Sequence, residues 1–110
     1  MAIDNVNVID GMGVDPEKKS LRLLLADHLP WEDTNLSEFE HLKLLQNKIN
    51  AYIAFLEGKQ YMERYPDIEV ETAVIEIHFK YEISSKCEEF LQAVQEQVGQ
   101  HGIKIEAHIG

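Results

Sequence analysis

The chain has 110 residues, the size of one ordinary domain, and by surface scaling about two-thirds of the unfolded surface is buried on folding, so a core forms without staples. Hydrophobic residues make up 45% and charged residues 27%, which argues against intrinsic disorder. Ten Lys and Arg against 20 Asp and Glu give a formal net charge of −10, which repels phosphate backbones and anionic lipid, so neither nucleic acid nor a membrane surface is an expected partner.

The first element in chain order is a weak strand around Asn5 to Ile9, rich in β-branched residues and closed by Gly11, Gly13 and Pro16. Gly11-Met12-Gly13 runs into Val14-Asp15-Pro16 and not into a helix, so it reads as a hairpin turn and not as a phosphate-cradling loop. Leu21, Leu23 and Leu25 alternate with Arg22, Leu24 and Ala26, which predicts a second strand over 20–28 behind a long loop, stopped by Pro30. Ser37-Glu38-Phe39-Glu40 is a capping box. Leu42, Leu45, Ile49, Tyr52 and Leu56 follow at steps of three and four, with Gly58 at the expected stop, so a helix spans 37–57 with Lys43 and Lys48 on its other faces.

Residues 70–81 alternate cleanly. Ala73, Ile75, Ile77, Phe79 and Tyr81 share one face, and Thr72, Val74, Glu76, His78 and Lys80 share the other. A second capping box, Ser85-Lys86-Cys87-Glu88, opens a helix whose stripe is Cys87, Leu91, Val94 and Val98, ending at Gly99 or Gly102. Ile103, Ile105, Ala107 and Ile109 then alternate with Lys104, Glu106 and His108 in a last strand. The order ββαβαβ predicts a single α+β domain over 1–110, a two-layer sandwich with both helices on one face of a four-stranded mixed sheet. Right-handed crossovers make the last three strands parallel and the first antiparallel to the second. Their carboxyl ends then converge on one edge, near Asp27, His28, Glu82 and His108.

Residues 1–11 lack the basic and apolar regions of a signal peptide, and no apolar run, Leu23 to Ala26 included, approaches the length of a membrane span, so a cytoplasmic protein is expected. The lone Cys87 forms no internal disulfide; on a helix stripe it reads as a small core residue and not as a nucleophile.

Four stretches together carry a resemblance: Asn7-Val8-Ile9-Asp10, Asp27-His28-Leu29-Pro30-Trp31-Glu32-Asp33, residues 44–52, and Ile75-Glu76-Ile77-His78-Phe79-Lys80-Tyr81. They resemble a small bacterial family of domain-of-unknown-function proteins. The resemblance covers nearly the whole chain and implies a bacterial, cytosolic origin. Its motifs are core and turn residues, so no activity, substrate or site residue transfers from it.

Between Asp27 and Glu40 stand five acids and no Lys or Arg. Asp27, His28, Trp31, Glu32 and Asp33 form the most distinctive local feature. As a site, Trp31 is an aromatic anchor ringed by acids, suited to docking a basic protein partner. As structure, Trp31 roofs the core below the first helix, with Asp33 or Asn35 holding the turn. His28, His78 and His108 are expected to project from the open sheet face, where Asp27 or Glu106 could help them hold a metal such as zinc; the alternative is solvated cross-strand pairing with Glu76, Lys80, Lys104 and Glu106. No HExxH motif, nucleophile elbow or other catalytic signature is present in the sequence.

These features lead to a non-enzymatic, cofactor-free module that docks a basic protein partner through an acidic edge, as an immunity-like protein, antagonist or adaptor does. The first rival is a metal- or small-ligand-binding protein or enzyme that uses histidines and carboxylates at that edge. The second is a homodimer formed through the open sheet face, where Leu24 and Val74 are apolar, or through the last strand's edge.

Overall fold

A computed structural model describes residues 9–31, 37–67 and 69–110. Four strands, β1 (Gly11–Asp15), β2 (Ser20–Asp27), β3 (Thr72–Phe79) and β4 (Ile103–Ile109), lie side by side in chain order. β1 is antiparallel to β2, and β2, β3 and β4 are parallel. Between the parallel strands run α1 (Glu38–Glu57) and α2 (Ser85–Val98), as the alternation of strand and helix patterns predicts.

The hairpin differs from its sequence reading. Gly11 to Gly13 belong to β1, and the turn lies at residues 16–19; Asn5 to Val8, where the first strand was expected, lie outside the described residues. The turn is set by Asp15, whose Oδ1 accepts from the amides of Glu17 (3.2 Å) and Lys18 (3.3 Å), with Pro16 between them and Lys19 closing in the left-handed region at φ 52°. The glycine at position 11 serves close approach, because a Cβ there would stand 3.1 Å from the Leu24 side chain on the facing strand.

Register fixes two faces. Leu21, Leu23 and Leu25 line up with Ala73, Ile75 and Ile77, and these with Ile103, Ile105 and Ala107. Most of this row is buried in one core with Leu45, Ile49, Tyr52 and Leu56 of α1 and Cys87, Leu91 and Val98 of α2, so both helices cover the same sheet face. The opposite face carries Arg22, Leu24, Val74, Glu76, His78, Lys104, Glu106 and His108. Val74 is buried there, in register between Arg22 and Lys104. At the sheet edge, Gln95 of α2 donates to the Ile103 carbonyl (3.1 Å) and accepts from the Ile105 amide (2.7 Å). Two backbone groups of β4 that could template another strand are thereby occupied.

Helix ends follow local chemistry with two corrections. Ser37 caps α1, its Oγ accepting from the Glu40 amide at 3.1 Å. For α2 the cap is Ser84 and not Ser85: Ser84 is extended (φ −77°, ψ 164°) and its Oγ accepts from the Cys87 amide, so Ser85 is already helical. At the end of α1, Gly58 keeps a right-handed conformation and Lys59 takes the left-handed one (φ 53°), leading into a short 3-10 turn over Gln60–Glu63.

Lys48 is the third correction: it lies on the covered face of α1 and is fully buried. Its Nζ is 3.3 Å from Asp10 Oδ1, and Asp10 Oδ2 accepts from the Ala26 amide at 2.9 Å. The Tyr52 hydroxyl accepts from the Asp10 amide (2.9 Å) and donates to the Leu24 carbonyl (2.5 Å). A polar network thus ties the segment before β1 to β2 and α1. Among the described residues, no helix is long and apolar enough to cross a membrane.

Candidate functional site at the carboxyl-terminal edge of the sheet

Asp27 ends β2, and its side chain follows Leu25 and Leu23 onto the covered face. Its carbonyl accepts from the Lys80 amide (2.9 Å) and its Oδ1 from the Leu29 amide (3.1 Å), which turns the chain toward Pro30 beside the end of β3. Its Oδ2 lies 2.6 Å from Nε2 of His41, a residue of the first turn of α1. Both members of the pair are about 1% exposed. The Trp31 indole stacks on the His41 imidazole, with centroids 3.6 Å apart and planes within 14°, and leans on Phe79 at 6.3 Å. Among the described residues, Trp31 Nε1 and His41 Nδ1 are buried without a hydrogen-bond partner. Unpaired buried polar atoms are uncommon in folded proteins, and two meeting at one stacked pair mark the spot.

Beside this stack opens a cleft of about 450 Å³ lined by Pro30, Trp31, Glu38, Tyr81, Glu82, Ile83 and Ser84. It lies between the first residue of α1 and the cap of α2. Glu38 is 3.8 Å from the exposed Lys86 ammonium, and the Lys80 ammonium stands 5.7 Å from the centre of the Tyr81 ring. The acidic and aromatic groups of the cleft therefore already attract cations from their own chain. Phe39, next to Glu38, is 74% exposed.

The expected docking residues divide among different surroundings. Trp31, at 9% exposure, roofs the core, the structural alternative of its two readings, because its flat ring covers His41 and Phe79. Asp27 is no surface acid, because strand parity turns it inward to His41. Glu32 and Asp33 lie outside the described residues. His28 is half-buried, with Nε2 lacking a partner among the described residues.

The open sheet face gathers the remaining expected groups. His28, His78 and His108 do line one pocket, of about 320 Å³, together with Asp27 and Lys80. His78 and His108 are paired in register and stack with ring centroids 4.9 Å apart. Arg22 Nη2 donates to Glu76 (2.5 Å) and to Glu106 (2.9 Å), and Glu106 also lies 3.3 Å from His108 Nε2. The Arg22 hydrogen bond holds the Glu76 carboxyl below its usual range; at Glu106 burial works upward and is outweighed by His108 and Arg22. Depressed carboxyl pKa values contribute stability that is complete above the ordinary value of 4.5 and fades as pH falls below it. Between about pH 5 and about pH 3, the melting temperature of Arg22→Gln is therefore expected to fall less than that of the wild type, as scanning calorimetry would record.

The sequence reading passed over His41, which extends the α1 stripe one turn ahead of Leu45 and could have been found by carrying that stripe back to the cap. It also placed Lys48 outside. Cys87 behaves as its stripe position predicts: burial first, then the charges of Asp27, Glu88 and Glu38, push its thiol up to about 12, which leaves it an inert core group.

No curated protein and no solved structure matches the chain. A family model matches residues 1–110, and by it the chain belongs to DUF6572, a family of unknown function.

Proposed function

We propose that this protein is a binding module whose cleft between the starts of α1 and α2 receives a lysine- or arginine-bearing segment of a protein partner. The observation that carries the reading is the lining of that cleft: the carboxylates of Glu38 and Glu82, the exposed ring of Tyr81 and the indole of Trp31 on one concave surface. Carboxylates and an aromatic face together suit a cationic side chain. A net charge of −10 favours encounter with a basic surface at low salt. In this form Glu38, Tyr81 and Glu82 are the contact groups and Trp31 the floor, while an antagonist or adaptor role describes what such binding would accomplish.

The single tryptophan supplies the test, since its indole N–H gives one resolved resonance. Titration with pentalysine is expected to shift that resonance saturably and less strongly as salt rises, whereas pentaglutamate leaves it unmoved. The double variant Glu38→Gln, Glu82→Gln, which keeps size and fold, is expected to weaken pentalysine binding by about tenfold or more. An unmoved resonance, or equal affinity in the variant, would overturn the reading.

A further inference from the structure

We infer that Glu76, His78 and His108 form a binding site for a late first-row divalent metal ion, with zinc as the representative, on the sheet face that the helices leave open. The inference is separate from the proposed cleft, which lies elsewhere along the edge and uses other residues.

One ligand atom from each of the three residues can be chosen so that all lie within 4.8 Å of one another. A tetrahedral zinc ion with bonds of about 2.0–2.2 Å needs ligand atoms about 3.4 Å apart, so small side-chain rotations close the set. The backbone makes those rotations easy. Glu76 and His78 are two residues apart on β3 and project from the same face, and His108 faces His78 directly across the β3–β4 ladder. Both imidazoles are exposed and stack on one another, with His108 also beside Glu106. Two imidazoles and one carboxylate are a donor set suited to zinc and its neighbours and poorly suited to calcium or magnesium, which prefer oxygen alone.

A second, independent feature points to the same place. His28 lines the pocket that His78 and His108 line, and its Nε2 is buried with no hydrogen-bond partner among the described residues. His28 stands outside the set of ligand atoms within 4.8 Å, and its unpartnered imidazole nitrogen would be a hydrogen-bond acceptor for a metal-bound water. The neighbouring charges also fit. Arg22 is shared between Glu76 and Glu106, so it can stay with Glu106 when Glu76 turns to a metal, and Glu106, 3.3 Å from His108, can orient that ring. Arg22 is at the same time a resident cation competing for Glu76, so its removal is expected to tighten the site.

The experiment is zinc titration of tag-free, chelator-treated protein by calorimetry, repeated with cobalt(II) for its visible absorption. One equivalent of zinc is expected, with a cobalt spectrum of tetrahedral or five-coordinate nitrogen and oxygen ligation. His78→Ala and His108→Ala should each weaken zinc by about 100-fold or more, exceeding the 10- to 100-fold typical of supporting groups, while Arg22→Gln strengthens it. These side chains are exposed or on the open face, so circular dichroism should show each variant folded. Absence of saturable binding, or binding that both histidine variants retain, would overturn the inference; a loss confined to His28→Ala would place the metal elsewhere and overturn it as well.

Discussion

Replacing His41 with alanine is expected to cost about 3–5 kcal/mol of unfolding free energy, because it leaves the carboxylate of Asp27 buried beside an empty space. Asp27 and His41 are each about 1% exposed, so water cannot take over the lost contact without opening the core. The Leu29 amide would then be the only hydrogen-bond donor left to that carboxylate among the described residues. The imidazole also supports the Trp31 ring at 3.6 Å, so its removal undercuts the roof of the core. Asp27→Asn should cost less, about 1–2 kcal/mol, since the amide retains an oxygen for Leu29 and removes the buried charge. Urea unfolding followed by Trp31 fluorescence measures both. A His41→Ala loss below about 1 kcal/mol would mean that the pair is far better hydrated than its burial indicates.

The second large effect concerns the other polar network. Asp10→Ala is expected to lower stability by about 3 kcal/mol, since it removes the acceptor of the Ala26 amide and a carboxylate from the buried Lys48. Tyr52→Phe is expected to lower it by about 2 kcal/mol by stranding the Leu24 carbonyl and the Asp10 amide. Both residues belong to one network, so the double variant should lose less than the two single losses added together, by about 1 kcal/mol, and a double-mutant cycle reads that difference. A pH signature accompanies it. Burial holds the Tyr52 phenol protonated well above its ordinary 10.0, so its contribution is complete below pH 10 and is lost as pH rises further. Tyr52→Phe should therefore flatten the decline in stability above about pH 10.

Both networks show where periodicity stops being informative. A stripe at steps of three and four reports which side of a helix is covered, and it placed Leu45, Ile49, Tyr52 and Leu56 correctly. It also led to Lys48 being set outside, since a charged residue is ordinarily solvated. The approach of Asp10, distant in sequence, and the nearby Tyr52 ring help make burial of that ammonium tolerable. His41 is the same case at the helix start: its place on the stripe was legible, but its partner Asp27 comes from the far end of β2.

Turn chemistry is misleading where glycine stands for a turn. Asp15 and Pro16 make the hairpin turn, while Gly11 and Gly13 serve the flat edge strand, where one gives room to Leu24. Ser84 and Ser85 are chemically equivalent candidates for the α2 cap; the extended backbone of Ser84 decides between them.

The sequence by itself determined the α+β class, the order of the six elements, the faces of β2, β3 and β4, the interior place of Cys87 and the acidity concentrated between Asp27 and Glu40, because each follows from side-chain periodicity or composition. The tertiary structure alone decided that Asp27 and Trp31 belong to the core, that Glu38, Tyr81 and Glu82 share a cleft, and that Glu76 and His78 meet His108. Those are juxtapositions of distant segments. Strand register and the docking of α1 and α2 on one face create them, and neither quantity is written in the spacing of residues along a single element.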